Sequence, residues 1–139
     1  MNETAILWPA IIMALITLIL YVPMAQRRAS AVKAGNAKAS DFKITGKEPD
    51  ESAQFVKAIA NQYEMPVLFY AACVMAIVAG AADFIMVGLA WVFALGKLIH
   101  ILVFITSNNL RLRRPVFMIP WFALILMWLW LAINLATSI

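Results

Sequence analysis

Four apolar runs constrain this chain more than any other feature, each close to the ~20 residues that a helix needs to cross ~30 Å of hydrocarbon. They cover residues 5–25 ("AILWPAIIMALITLILYVPMA"), 65–82, 84–106 and 116–136 ("VFMIPWFALILMWLWLAINLA"). In lipid, backbone polar groups must be satisfied within the segment, so only helices or closed barrels span it; the period-2 alternation of a barrel strand is missing here. The expected fold is therefore an all-α membrane protein: a four-transmembrane-helix bundle in one domain, 1–139. Its helices are expected at about 5–25, 51–82, 84–106 and 116–137.

Composition agrees with this reading. The chain is 65% hydrophobic and 13% charged, with a mean hydropathy of +0.89, too little polar surface for a soluble domain of this size. A single cysteine, Cys73, excludes an intramolecular disulfide and reads as a small packing residue. One His and one Cys cannot build a zinc site of the usual kind. The net charge of +4 reflects topology and suggests no nucleic-acid partner. The first run reads as a retained helix, because it lacks a basic leader segment and is too long for a signal peptide's apolar stretch.

Orientation follows from the bases. Arg27, Arg28, Lys33, Lys38, Lys43 and Lys47 follow the first helix; Arg111, Arg113 and Arg114 follow the third. Lys57 and Lys97 lie at the near ends of helices two and three, while the opposite side holds Glu3 and Asp83 and no base. The positive-inside rule puts both basic segments in the cytoplasm and both termini outside, as for a multi-pass protein of the cell inner membrane. Residues 26–52 form a long first cytoplasmic loop, partly helical at its start. "PDESAQFVKAIANQYE" then has the cap and acidic first turn of a starting helix.

Two polar stripes stand out. Lys57, Asn61, Glu64 and Leu68 share one face of helix two; Lys97, His100, Phe104 and Asn108 share one face of helix three. Antiparallel neighbours would bring them to a similar depth, with Arg27, Arg28 and the bases at 111–114 at the mouth. Pro66 cannot donate to the Gln62 carbonyl, so the helix is expected to bend there. An ionisable group at membrane depth is a functional candidate by default, which singles out Glu64. The plainer reading is that Glu64 ties the bundle together by pairing with Lys97, Arg28 or a neighbouring subunit's base. Likewise His100 could be a packing residue, and Arg111, Arg113 and Arg114 topology anchors. Trp121, Trp128 and Trp130 read as a lipid-facing or outer-interface belt, and Asn134 as interfacial.

"NQYEMP" opening the second helix resembles the N-x-x-E signature of the MAPEG family, the membrane-associated proteins in eicosanoid and glutathione metabolism. "GKLIHILVF" on helix three, "AQRRASAVKAG" after helix one and "LRLRRPVF" before helix four strengthen the resemblance, which covers essentially the whole chain. It implies a homotrimer that holds glutathione between subunits near the cytoplasmic face and activates its thiol toward an apolar small molecule arriving from the lipid. Asn61 and Glu64 match the family's Asn and Glu, Arg28 the base ending helix one, and His100 the helix-three His. Lys97 and Lys57 stand where Arg is frequent, and Ala60 where some members have a second base. Phe104 replaces a Tyr, and Pro66 comes two residues early. The resemblance implies a glutathione-binding set of Arg28, Lys57, Asn61, Glu64, Lys97, His100, Arg111 and Arg114, with Arg113 stabilising the thiolate. The expected function is a glutathione-dependent membrane transferase or peroxidase. The alternatives are a non-catalytic scaffold or accessory subunit of the same build, and a proton-coupled small exporter using Glu64. The bases around Glu64 disfavour the exporter, because they hold the carboxylate ionised.

Overall fold

The computed structural model describes residues 3–44 and 46–137. After a 3₁₀ turn at Glu3–Ile6, helix α1 spans Leu7–Lys33, eight residues beyond the expected end at Ala25. The added stretch, "QRRASAVK", is built mainly of good helix formers, and nothing in it breaks the ladder. Gly35 stops it: at φ +78° it donates to Val32 O (3.1 Å), and Asn36 donates to Ala31 O (2.9 Å). These paired bonds satisfy the last carbonyls, and Gly takes the left-handed position without a Cβ penalty.

The second pass is broken. Helix α2 spans Asp50–Gln62 and α3 spans Met65–Val78, with Tyr63 and Glu64 between them. This replaces the continuous helix expected over 51–82. Pro66 sits in the first turn of α3, where its missing N–H costs nothing. The chain therefore breaks just ahead of the proline and restarts there. At a rise of 1.5 Å per residue, the 14 residues of α3 reach only about 21 Å, so the end of α2 must complete this pass. Among the described residues, three helical stretches are long and apolar enough to cross a membrane alone: Glu3–Lys33, Phe84–Ile105 and Leu110–Thr137.

Helix α4 spans Phe84–Ile105 and α5 spans Leu110–Thr137. Asp83 caps α4 by accepting from the Met86 N–H at 2.8 Å. Helix α5 starts six residues earlier than expected. Asn109 Oδ1 accepts from the Arg111 N–H (3.0 Å) and caps it, and Asn108 turns the chain at φ +48°. The three arginines thus lie in the first turns of a helix and not in a loop.

The four passes pack as one all-helical bundle, with α4 and α5 most intimately joined, α1 against α2 and α4, and α3 against α5. The core is built of Met13, Met86 and Met127 around the stacked rings of Phe69 and Phe93, whose centroids are 4.3 Å apart. Cys73 is buried among these residues. Gly96 lets α4 approach α5: a Cβ there would lie 3.0 Å from Pro120 Cδ.

Candidate functional site

The break in the second pass leaves Asn61 on the last turn of α2 and Glu64 in the gap. The turn between α4 and α5 brings the C-terminal end of one helix against the start of the other. The two features meet at a cavity of about 360 Å³, lined by Asn61, Glu64, His100, Leu110, Arg113, Arg114 and Phe117.

His100 is 3% exposed and packs its ring edge-on to Phe117, centroids 5.4 Å apart. Its Nδ1 has no hydrogen-bond partner. Lys97, one turn deeper on α4, is 1% exposed and within electrostatic reach of Glu64. Glu64 is exposed, and among the described residues it makes no ion pair within 4.0 Å. Arg113 is half-buried; its Nη1 donates to Asn108 Oδ1 at 3.2 Å. Arg114 lines the same cavity from a more exposed position.

Placing arginines at the start of α5 is unfavourable by itself, because the positive end of the helix dipole repels cations by about 0.3–1 kcal/mol each. The same N–H groups and guanidinium charges together attract an anion. The arrangement can hold a molecule with carboxylates toward α5 and an ammonium toward Glu64.

The remaining expected residues fall elsewhere. Lys57 lines an adjoining hollow of about 270 Å³ with Gln54, Asn108 and Arg113, so Arg113 borders both spaces. Gln54 donates to the Phe104 carbonyl across this hollow. Arg111 lines neither space.

Arg28 also lies outside the cavity. It was expected at the cavity mouth, but Glu48 of the same chain accepts from two of its nitrogens, Nε at 2.8 Å and Nη2 at 2.7 Å. Phe42 covers the guanidinium at 5.0 Å, and Ser52 Oγ donates to the same carboxylate at 2.5 Å. The match is bidentate, a strong geometry for an arginine and a carboxylate, and it is made with Glu48 instead of Glu64. The Arg28 guanidinium holds the Glu48 carboxyl below its ordinary value.

Phe117, Leu110 and the cap Asn109 were not anticipated. The signal was present in "NNL", an N-cap before an apolar run, which starts α5 at Leu110 and puts Phe117 one turn after Arg113 on the same face. The tryptophans are only partly a lipid belt. Trp130 Nε1 donates to Asp83 at 3.0 Å, tying the C-terminal part of α5 to the α4 cap, and Asn134 donates to the Trp130 carbonyl.

No curated protein and no solved structure matches this chain. A sequence model of the MAPEG family matches residues 5–133. That match takes in every element forming the cavity. On it, the chain belongs to the MAPEG family, multi-pass membrane proteins of the glutathione-related transferase and peroxidase type.

Proposed function

We propose that this chain is a glutathione-dependent membrane transferase or peroxidase acting on an apolar electrophile. The observation that carries the reading is the convergence of Glu64, His100, Arg113 and Arg114 on one cavity from the α2–α3 break, α4 and α5. Glutathione, when bound, supplies a thiol that reacts as its thiolate. The chain's own residues suit such a molecule. Arg114 offers charge to its carboxylates, with Lys57 close by, while the buried Lys97 lies outside the cavity lining, near Glu64. Glu64 is free to accept from its ammonium. His100 Nδ1 is a buried atom in want of a partner. Arg113 is the cation we assign to hold the sulfur anionic, because it is braced by Asn108 and lies between the two hollows.

A homotrimer in the cell inner membrane, both termini outside, fits this reading. A neighbouring copy would close the cavity on its open side, and an apolar substrate would reach it from the bilayer. The Arg28–Glu48 pair would then have to open before Arg28 could serve a ligand.

Calorimetry of the purified protein with glutathione tests the proposal. Saturable binding that is lost in both Glu64→Gln and Arg113→Ala supports it, as does conjugation of a chloronitroarene or reduction of an organic hydroperoxide. No binding at millimolar glutathione overturns it and leaves a non-catalytic scaffold.

A further inference from the structure

Among the described residues, Lys97 is the one lysine or arginine that the bundle buries, at 1% exposure. Its buried neighbours along α4 are the uncharged Phe93, Ala94, Gly96 and Ile101, together with His100. Among the described residues it makes no ion pair within 4.0 Å and no hydrogen bond. The carboxylate within its electrostatic reach is Glu64, which is itself exposed.

A charge in a membrane helix is costly when nothing touches it, and a residue that only filled this space would do better as Leu or Met. Lys97 does not tie the bundle together either, because a structural tie needs a contact. What burial does give the charge is reach. Water screens an exposed cation strongly, whereas a buried one acts through protein of lower effective dielectric, and its field extends into adjoining space.

The adjoining space is the cavity. His100, one turn further along α4, lines that cavity and lies in the field of both Lys97 and Arg113. The ionisable groups on the cavity wall are Glu64 at the break, His100 on α4, and Arg113 and Arg114 on α5; α1 lends none. With Lys97 behind the wall, three cations act against one carboxylate. That balance favours a bound anion.

We propose that Lys97 is the buried charge that keeps a thiol bound in this cavity in its anionic form, acting on the sulfur through space, together with Arg113, and not by contact. The S–H bond breaks with its electron pair left on sulfur, and the proton leaves to the aqueous phase. The proposal rests on the reading of the cavity as a glutathione site and names what makes that site select a thiolate.

The test uses the intact protein in lipid nanodiscs, with glutathione and with S-methylglutathione, which has no thiol proton to lose. Calorimetry measures the binding of both. The ultraviolet absorbance of the thiolate, followed against pH with the S-methylglutathione sample as blank, gives the midpoint at which the bound thiol ionises. A unit charge about 10 Å from an acid, at an effective dielectric of about 20, moves its midpoint by about one pH unit. Removing a cation disfavours the thiolate, so Lys97→Met is expected to raise the midpoint by about that much. It should also weaken glutathione more than S-methylglutathione, while the unfolding temperature stays level or rises. An unchanged midpoint overturns the proposal. An equal loss of both ligands overturns it too, since Lys97 would then only shape the cavity. Should Lys97→Met fail to fold, Lys97→Gln carries the same comparison. Wild type that binds neither ligand overturns the glutathione reading itself; wild type that binds both, with a midpoint indifferent to Lys97, overturns this proposal alone.

Discussion

The guanidinium carbon of Arg113 lies 4.2 Å from the centre of the Phe104 ring. The cation bordering both hollows is therefore held from α4 by an aromatic face as well as by its bond to Asn108. Such a stack is worth about 1 kcal/mol when partly desolvated. Phe104→Leu is expected to weaken glutathione binding about fivefold, measured by calorimetry. Unaltered affinity in Phe104→Leu, with binding lost in Arg113→Ala, would show that the stack does not position the arginine.

The clamp between Glu48 and Arg28 makes a pH-dependent contribution to stability. Hydrogen bonds from Arg28 lower the Glu48 pKa in the folded state. The stabilisation is thus present above the ordinary glutamate value of about 4.3 and is lost as pH falls through the lowered folded value. Glu48→Gln is expected to cost about 1 kcal/mol at neutral pH. Thermal unfolding in detergent should show wild type and variant converging in acid; a gap that persists at low pH would contradict this.

At Gly96 the α4–α5 contact leaves no room for a larger side chain. A Cβ would meet Pro120 Cδ at 3.0 Å and Ile119 Cγ2 at 3.2 Å. Proline is rigid, so the strain falls on the helix pair. Gly96→Val is expected to destabilise by about 1–3 kcal/mol and, because His100 lies one turn away, to weaken glutathione binding as well. The unfolding midpoint and a titration check both.

At the opposite end of the bundle, Asp83 serves two donors, the Met86 N–H and the Trp130 indole. Asp83→Ala removes a cap worth ~1 kcal/mol and strands a partly buried indole N–H. The expected loss is about 2 kcal/mol, with Trp130→Phe costing less because the cap remains. Equal losses in the two variants would place the stability in the indole bond instead.

How much of this could be read in advance differs from residue to residue. Asn61, Glu64 and His100 were recognisable because helical spacing put them on facing stripes, and they do meet. Arg28 was not, because Glu48 lies in a polar stretch without periodicity, and only the folded loop shows which carboxylate it reaches. The start of α5 was legible in principle from Asn109, but the apolar run draws attention to residue 116.

The sequence by itself determined the helical passes and their apolar runs, and marked Pro66 as a point of bending, where the structure has a break. These follow from transfer free energy and backbone hydrogen bonding, which add up locally along the chain. The tertiary structure alone decided which of several like cations converge, giving Arg113 and Arg114 to the cavity and Arg28 to Glu48. Cations of one kind look alike along the chain; only the geometry of neighbouring helices sets which carboxylate, ring or cavity each one meets.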